Sequence, residues 1–131
     1  MRITKPILAA CLTVLSACGG ESRPTDRESL VVPGELLSSA AARQRGSELF
    51  ARHCALCHGE RADGQGVRRN LSARAVDFTD PYWRDSVTPR DVYLVIRDGK
   101  RGTPMPAWRI LTPEQTWDLT AFVLGVSADP P

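Results

Sequence analysis

The 131-residue chain is poor in the side chains that fill a large dry interior: it has three Trp, two Tyr and three Phe. A chain this small with so few aromatics builds a thin core and commonly completes it with a staple, a metal or a cofactor. Charge of one sign is also scarce. The formal net charge is +2, and no basic run is dense enough for a nucleic-acid partner. No apolar stretch approaches the ~20 residues a membrane-spanning helix needs. No segment alternates as a strand, and no internal repeat is visible. What remains, 42% hydrophobic and 24% charged residues, suits one soluble globular domain.

The first residues stand apart from that domain. Arg2 and Lys5 precede a mostly apolar stretch from Ile7 to Leu15, and Leu15-Ser16-Ala17-Cys18 follows. A positive start, a short apolar run and a small-residue site form an export signal. A cysteine directly after Leu-Ser-Ala resembles a bacterial lipobox, in which the cysteine is lipidated and becomes the mature N-terminus. A plain secretory signal cut nearby, with Cys18 a spectator, is the alternative; an uncleaved anchor suits the short run less well. The expected organisation is a signal peptide over 1–17, a lipid anchor and flexible tether over 18–37, and a folded domain over 38–131. The tether mixes Gly, Pro, Ser and charge, although Val31-Val32 and Leu36-Leu37 can pack on the domain. Losing 1–17 leaves Met105 as the lone methionine, and leaves Cys18, Cys54 and Cys57.

Three main helices are predicted. The first runs from about Ser39 to Cys57 and has no proline. Leu49, Phe50 and His53 share a face with Gly46, and a glycine there costs about 1 kcal/mol against Ala, so a close approach by another helix is expected. The second opens at Thr88-Pro89-Arg90-Asp91, with Thr88 as N-cap and Pro89 at the first helical position. Val92, Val95 and Ile96 form its apolar face and Gly99 ends it. The third opens at Thr112-Pro113-Glu114-Gln115, a capping box, and carries Trp117, Leu119, Phe122, Val123 and Val126. Long loops join the helices, which is unusual in a small domain unless they wrap something.

The chemistry concentrates in Ala51-Arg52-His53-Cys54-Ala55-Leu56-Cys57-His58-Gly59-Glu60. Two thiols three positions apart, followed at once by an imidazole, have the spacing of a covalent haem attachment site. On a helical turn Cys54 and Cys57 project from one side, within reach of two vinyl groups on one porphyrin edge. His58 can then bind the iron through a neutral ring nitrogen. A disulfide, a redox-active dithiol and half of a zinc site are the competing readings. A dithiol of the thioredoxin kind wants a βαβ context, and a zinc site has only Cys18 as a further thiol. For the second axial position, His53 lies on the wrong side, whereas Met105 sits in Gly102-Thr103-Pro104-Met105-Pro106-Ala107-Trp108, a loop stiffened by two prolines. Methionine is more often core filler, but one held between prolines in a loop is poorly placed for that and suits a thioether ligand.

From about Gly46 to Val126 the chain resembles a class I c-type cytochrome. The resemblance rests on Gly46-Ser47-Glu48-Leu49-Phe50 ahead of Cys54-Ala55-Leu56-Cys57-His58-Gly59, then Asp63-Gly64-Gln65-Gly66, the Met105 loop, and Trp117 and Phe122 in the last helix. It implies an all-α cytochrome c-like fold wrapped around one covalently bound haem c, with Cys54 and Cys57 as attachment residues and His58 and Met105 as iron ligands. It implies electron transfer as the activity, and a crossing of first and last helices that places Gly46 and Phe50 against Phe122. Many members carry a proline shortly after the haem motif, whose carbonyl accepts a hydrogen bond from the iron-bound histidine. Val67-Arg68-Arg69-Asn70-Leu71 has none, and a carbonyl near 67–70 is the expected substitute.

With both axial positions filled, such a site suits outer-sphere transfer of single electrons, without acid–base catalytic residues or a small-molecule substrate. The expected setting is the periplasmic side of a bacterial membrane, held by lipid on Cys18, with redox proteins as partners. The chain is then a mobile carrier or a haem-bearing relay subunit of an oxidoreductase. A haem sensor whose Met105 dissociates is a third class. Tyr82, Trp83, Arg84, Trp108 and Arg109 can reach haem propionates, or serve as core aromatics and solvated arginines. Arg61, Arg68, Arg69 and Arg74 form either a positive docking rim or an ordinary solvated loop.

Overall fold

The computed structural model describes residues 30–68 and 72–126. Six helical segments follow in order: α1 (Gly34–Ser38), α2 (Ala40–His53), α3 (Ala55–His58), α4 (Pro81–Asp85), α5 (Pro89–Asp98) and α6 (Pro113–Val126). No strand occurs among the described residues. The chain is all-α, with the long loops on either side of α5 that the proline and glycine content requires. The expected signal peptide, Cys18 and Pro130-Pro131 lie outside the described residues.

Local chemistry explains where the main helices begin. Ser39 caps α2 by accepting from the Ala42 amide. Thr88 and Asp91 form a reciprocal capping box on α5, and Thr112 and Gln115 form another ahead of α6; each satisfies amides that a helix start leaves without partners. Gly99 closes α5 at φ +75°, a conformation that favours glycine. The structure adds two short helices, α1 and α4, to the three predicted. In α4, Asp80 caps and Pro81 occupies the first turn, a start signal of the same kind as at Thr88-Pro89. The expected first helix is broken at Cys54, whose φ/ψ of −115°/−33° separates α2 from α3.

The two long helices α2 and α6 cross at Gly46. A methyl group on that glycine would run into the Asp118 backbone and sit 2.8 Å from the Phe122 Cβ. Phe50 and Phe122 meet there at 5.0 Å between centroids, so the predicted contact is present. Beside it Arg45 grips the buried Asp118 with two hydrogen bonds of 2.8 Å. Thr116 and Thr120, also buried in α6, donate to the carbonyls of Thr112 and Thr116. Every buried polar side chain of α6 is thus satisfied, which lets this helix be enclosed on nearly all sides.

Burying α6 on two sides divides its apolar residues. Leu119, Val123 and Leu124 join Leu49, Phe50, Phe78, Val92 and Ile96 in the larger cluster, with Trp83, Trp108 and Phe122 at its edge. Trp117 instead packs with Tyr93 and Leu94 under Leu30, Val32, Leu36 and Leu37, and Arg90 donates to the Leu30 carbonyl at 2.6 Å. The residues just ahead of α2 therefore strap the back of α5 and α6, while Val31 is exposed. This strap also revises the expected apolar face of α5: Tyr93 and Leu94 are buried beneath it, and Val95 is exposed.

Candidate functional site

The attachment motif occupies one tight turn. The amides of Cys57 and His58 both donate to the Cys54 carbonyl, at 3.1 and 2.9 Å. That turn lines up the two cysteines three positions apart. Both are free thiols and half-buried, so the disulfide is not formed. Burial, with the neighbouring Cys57 thiol adding to it, pushes the Cys54 thiol up to about 11, which keeps it protonated at neutral pH. Among the described residues no three His, Cys, Asp or Glu side chains gather as a metal site; Cys18, the further thiol of the zinc reading, lies outside them.

His58 closes the turn, and its ring is held from two directions. Nδ1 donates to the Val76 carbonyl at 3.3 Å, and the ring stacks on Phe78 at 4.6 Å with planes 16° apart. Burial holds the imidazole below its ordinary value, against the opposing pull of the Val76 carbonyl. The result is a neutral ring with its proton on Nδ1 and its Nε2 lone pair free for a metal. The hydrogen-bond acceptor lies later in the chain than the expected 67–70 window. The reason is the path of the loop: the Gly64 amide bonds to the His58 carbonyl and the Phe78 amide to the Ala62 carbonyl, so the loop returns to the motif at 76–78. Arg69 and Asn70 lie outside the described residues.

The turn after the motif is packed against it. Any side chain at Gly66 would strike the Leu56 and Cys57 carbonyls. The buried Ala62 takes φ +60°, an uncommon conformation for a residue with a Cβ, and so turns its carbonyl to the Phe78 amide. Neither Val76 nor Phe78 stood out in the sequence. A backbone acceptor leaves no residue signature, and a lone Phe in an aperiodic loop reads as core.

The loop carrying Met105 comes to the same side of the molecule. The Trp108 amide bonds to the Ile96 carbonyl at 3.0 Å and the Lys100 amide to the Met105 carbonyl at 3.3 Å. Gly99 lies against the Met105–Ala107 backbone so closely that a Cβ there would be 2.8 Å from the Met105 carbonyl oxygen. The Trp108 ring then sits 5.3 Å from that of His53, at the end of α2 beside Cys54. His53 is thereby an exposed packing partner of the methionine loop. Of the residues considered for propionates, Tyr82 is exposed, Trp83 packs on Phe78 at 4.8 Å, Arg84 donates to the Leu124 carbonyl and Arg109 pairs with Asp98. Two unbridged thiols on one turn, a neutral imidazole with a free Nε2 and a rigid thioether loop fit the donor set of a covalent haem.

Fold and donor set together define a c-type cytochrome. Residues 41–123 match the family described as cytochrome c oxidase, cbb3-type, subunit III, and the chain belongs to that family. It is 35% identical over 83 residues to the cbb3-type cytochrome c oxidase subunit FixP of Azorhizobium caulinodans, a match covering 63% of this chain and 26% of that protein. The chain thus spans about a quarter of the length of this curated relative. Among solved structures it is similar to a chain of the Kuenenia stuttgartiensis reducing HAO-like protein complex Kustc0457/Kustc0458, with TM-score 0.53 and 28% identity over 64% of this chain and 41% of that one. It is likewise similar to the KustC0563 c-type cytochrome, with TM-score 0.52 and 30% identity over 61% of this chain and 94% of that one. The cofactor is covalently bound haem c with its iron, and the domain is an electron-transfer domain. Domains of this type lie on the periplasmic side of the membrane. No helix among the described residues is long and apolar enough to cross a membrane.

Proposed function

We propose that this chain is a mono-haem cytochrome that passes single electrons between redox proteins at the periplasmic face of a bacterial membrane, without acid–base catalysis of its own. Cys54 and Cys57 hold the haem through thioethers, and His58 and Met105 bind its iron. The observation that carries this reading is the His58 Nδ1 bond to the Val76 carbonyl beside two free thiols. It fixes the tautomer in which Nε2 is the metal-binding atom.

The haem, when bound, supplies an iron that cycles between two oxidation states. The protein's part is to hold the ligands still. The two prolines and the Gly99 contact restrain the Met105 loop, and the Phe78 stack and Val76 carbonyl restrain the His58 ring. Ligands that do not move keep reorganisation small, and a thioether favours the reduced iron, raising the potential. With His58 and Met105 both holding the iron, no open site would remain for oxygen, which separates a carrier from a sensor. On the same reading the chain is cut before Cys18 and tethered through residues 18–37 by lipid on that cysteine, several acyl chains making a stable anchor.

The match to an oxidase subunit favours a second reading, in which the same haem is a fixed relay inside a larger complex. Purification from native membranes separates the two, since a relay co-purifies with a stoichiometric catalytic subunit. The site assignment is tested on the matured protein by mass spectrometry and absorption. Haem mass on the peptide holding Cys54 and Cys57, lipid on Cys18 and a thioether–iron band unaltered by carbon monoxide in the reduced protein are expected. A colourless product, or unimpaired electron transfer after His58 and Met105 are both changed to alanine, would overturn it.

A further inference from the structure

A cleft of about 240 Å³ opens between α5 and the start of α6, lined by Tyr93, Arg97, Arg109, Leu111, Pro113 and Thr116. None of these residues belongs to the attachment turn, and no acidic side chain is among them. The volume falls below the roughly 300–1,000 Å³ of a site for a drug-sized molecule. A nucleotide is therefore too large, and a ligand of a few carbon atoms fits.

Tyr93 is the unusual member of the lining. It is 4% exposed, and its ring packs on that of Trp117 at 4.4 Å. Its hydroxyl nevertheless has no hydrogen-bond partner among the described residues. A buried hydroxyl without a partner costs stability and is rare in folded proteins. One carried by a residue that lines a cleft marks a place for an acceptor. Thr116 offers no second hydroxyl donor, because its proton already goes to the Thr112 carbonyl at 2.9 Å.

Two guanidiniums complete the polar part of the lining. Arg97 lies over the Tyr93 ring, 5.9 Å from its centroid, within cation–π distance. Arg109 donates to Asp98 through Nη2 at 2.9 Å, and its side chain is 75% exposed, so its Nε and Nη1 hydrogens remain available to a ligand. Both arginines share the carboxylate of Asp98, which leaves the local charge positive. A guanidinium fork matches a planar carboxylate in two-point geometry. A water on the Tyr93 hydroxyl would leave that positive charge unanswered. Leu111, Pro113 and the Tyr93 ring form the apolar part. An inorganic anion gains nothing from them, whereas an apolar body is removed from water there.

We propose that this cleft binds a small organic carboxylate, its oxygens on the Tyr93 hydroxyl and on the Arg109 guanidinium beside Arg97, its apolar body on Leu111 and Pro113. The bound molecule ties α5 to the segment after the Met105 loop, the same two stretches that Asp98 and Arg109 join. This goes beyond electron transfer and does not depend on which residues bind the iron.

The test is a titration of the reduced, isotopically labelled holoprotein with sodium benzoate at constant ionic strength, followed by amide NMR. Saturable shifts at Tyr93, Arg97, Arg109 and Leu111 are expected, with the visible absorption unaltered because benzoate stays off the iron. Y93F and R109Q each weaken binding about tenfold, the effect of losing one hydrogen bond to a charged group. Without benzoate, Y93F keeps the urea midpoint of the parent protein or raises it, because the hydroxyl it removes has no partner in the protein. Shifts that grow with benzoate without saturating, or parent-like affinity in Y93F, overturn the proposal. So do a lowered urea midpoint in Y93F and equally tight binding of inorganic phosphate. Each of these results leaves the electron-transfer reading untouched.

Discussion

Burial keeps the His58 imidazole neutral, and the Val76 carbonyl decides which of its nitrogens carries the proton. The residue type and its place after Cys57 were legible from spacing alone. The acceptor was not, because any backbone carbonyl can serve and only the path of the loop selects Val76. Met105 is proposed for a different reason: apart from Met1 it is the lone methionine, and prolines flank it. Replacing Met105 by histidine keeps an axial donor but exchanges sulfur for nitrogen. The reduction potential should fall by ~0.2 V, within the ~0.8 V that axial ligands span. Potentiometric titration measures this, and an unchanged potential would mean that the sixth ligand lies elsewhere.

At the scale of elements, glycine 46 sets how closely α2 and α6 approach. Helix propensity alone favours Gly46→Ala by about 1 kcal/mol. The Asp118 backbone and the Phe122 Cβ leave no room for the methyl group, and overpacking costs roughly 1–3 kcal/mol. The packing effect should win, so G46A lowers the urea midpoint of the holoprotein; a raised midpoint would show that the helices can part at little cost. Asp98 joins the end of α5 to the segment after the Met105 loop through Arg109, while Arg97 pairs with it within α5. The Arg97 hydrogen bond, with Arg109 adding to it, holds its carboxyl below the usual range. A lowered folded-state pKa stabilises above the ordinary carboxylate value near 3.9 and is lost as pH falls through the folded-state value. Acid should therefore loosen the loop. D98N lacks this support at every pH, so its thioether–iron band should disappear at a higher pH than in the parent protein. Coincident acid titrations would remove Asp98 from this role. The break of the first helix at Cys54 belongs to this scale as well, since nothing in a proline-free sequence marks it.

For the molecule as a whole, the strap from Leu30 to Ser38 covers Tyr93, Leu94 and Trp117 on one side, and the haem motif draws on the other cluster. Chain organisation near the N-terminus thus acts on stability separately from the haem. Removing residues 1–38 behind a replacement export signal should leave haem attachment and its spectrum unchanged. The same change should lower thermal stability and make Trp117 more accessible to a fluorescence quencher. Loss of haem incorporation on truncation would instead make the strap part of the site's own folding unit. Leu36 and Leu37 were visible in the sequence as apolar residues inside a polar stretch. That they meet Trp117 follows only from how α1 lies on α6.

The sequence alone determined the helical class and the starts of the three main helices, and it pointed to Cys54, Cys57 and His58 of the proposed donor set. These depend on residues within a few positions of one another, where capping chemistry and spacing act directly. Tertiary structure alone decided that Val76 orients His58, that Phe78 stacks on it and that α6 is buried on two sides. Those facts join residues far apart in the chain, and only the packing of loops against helices brings them together.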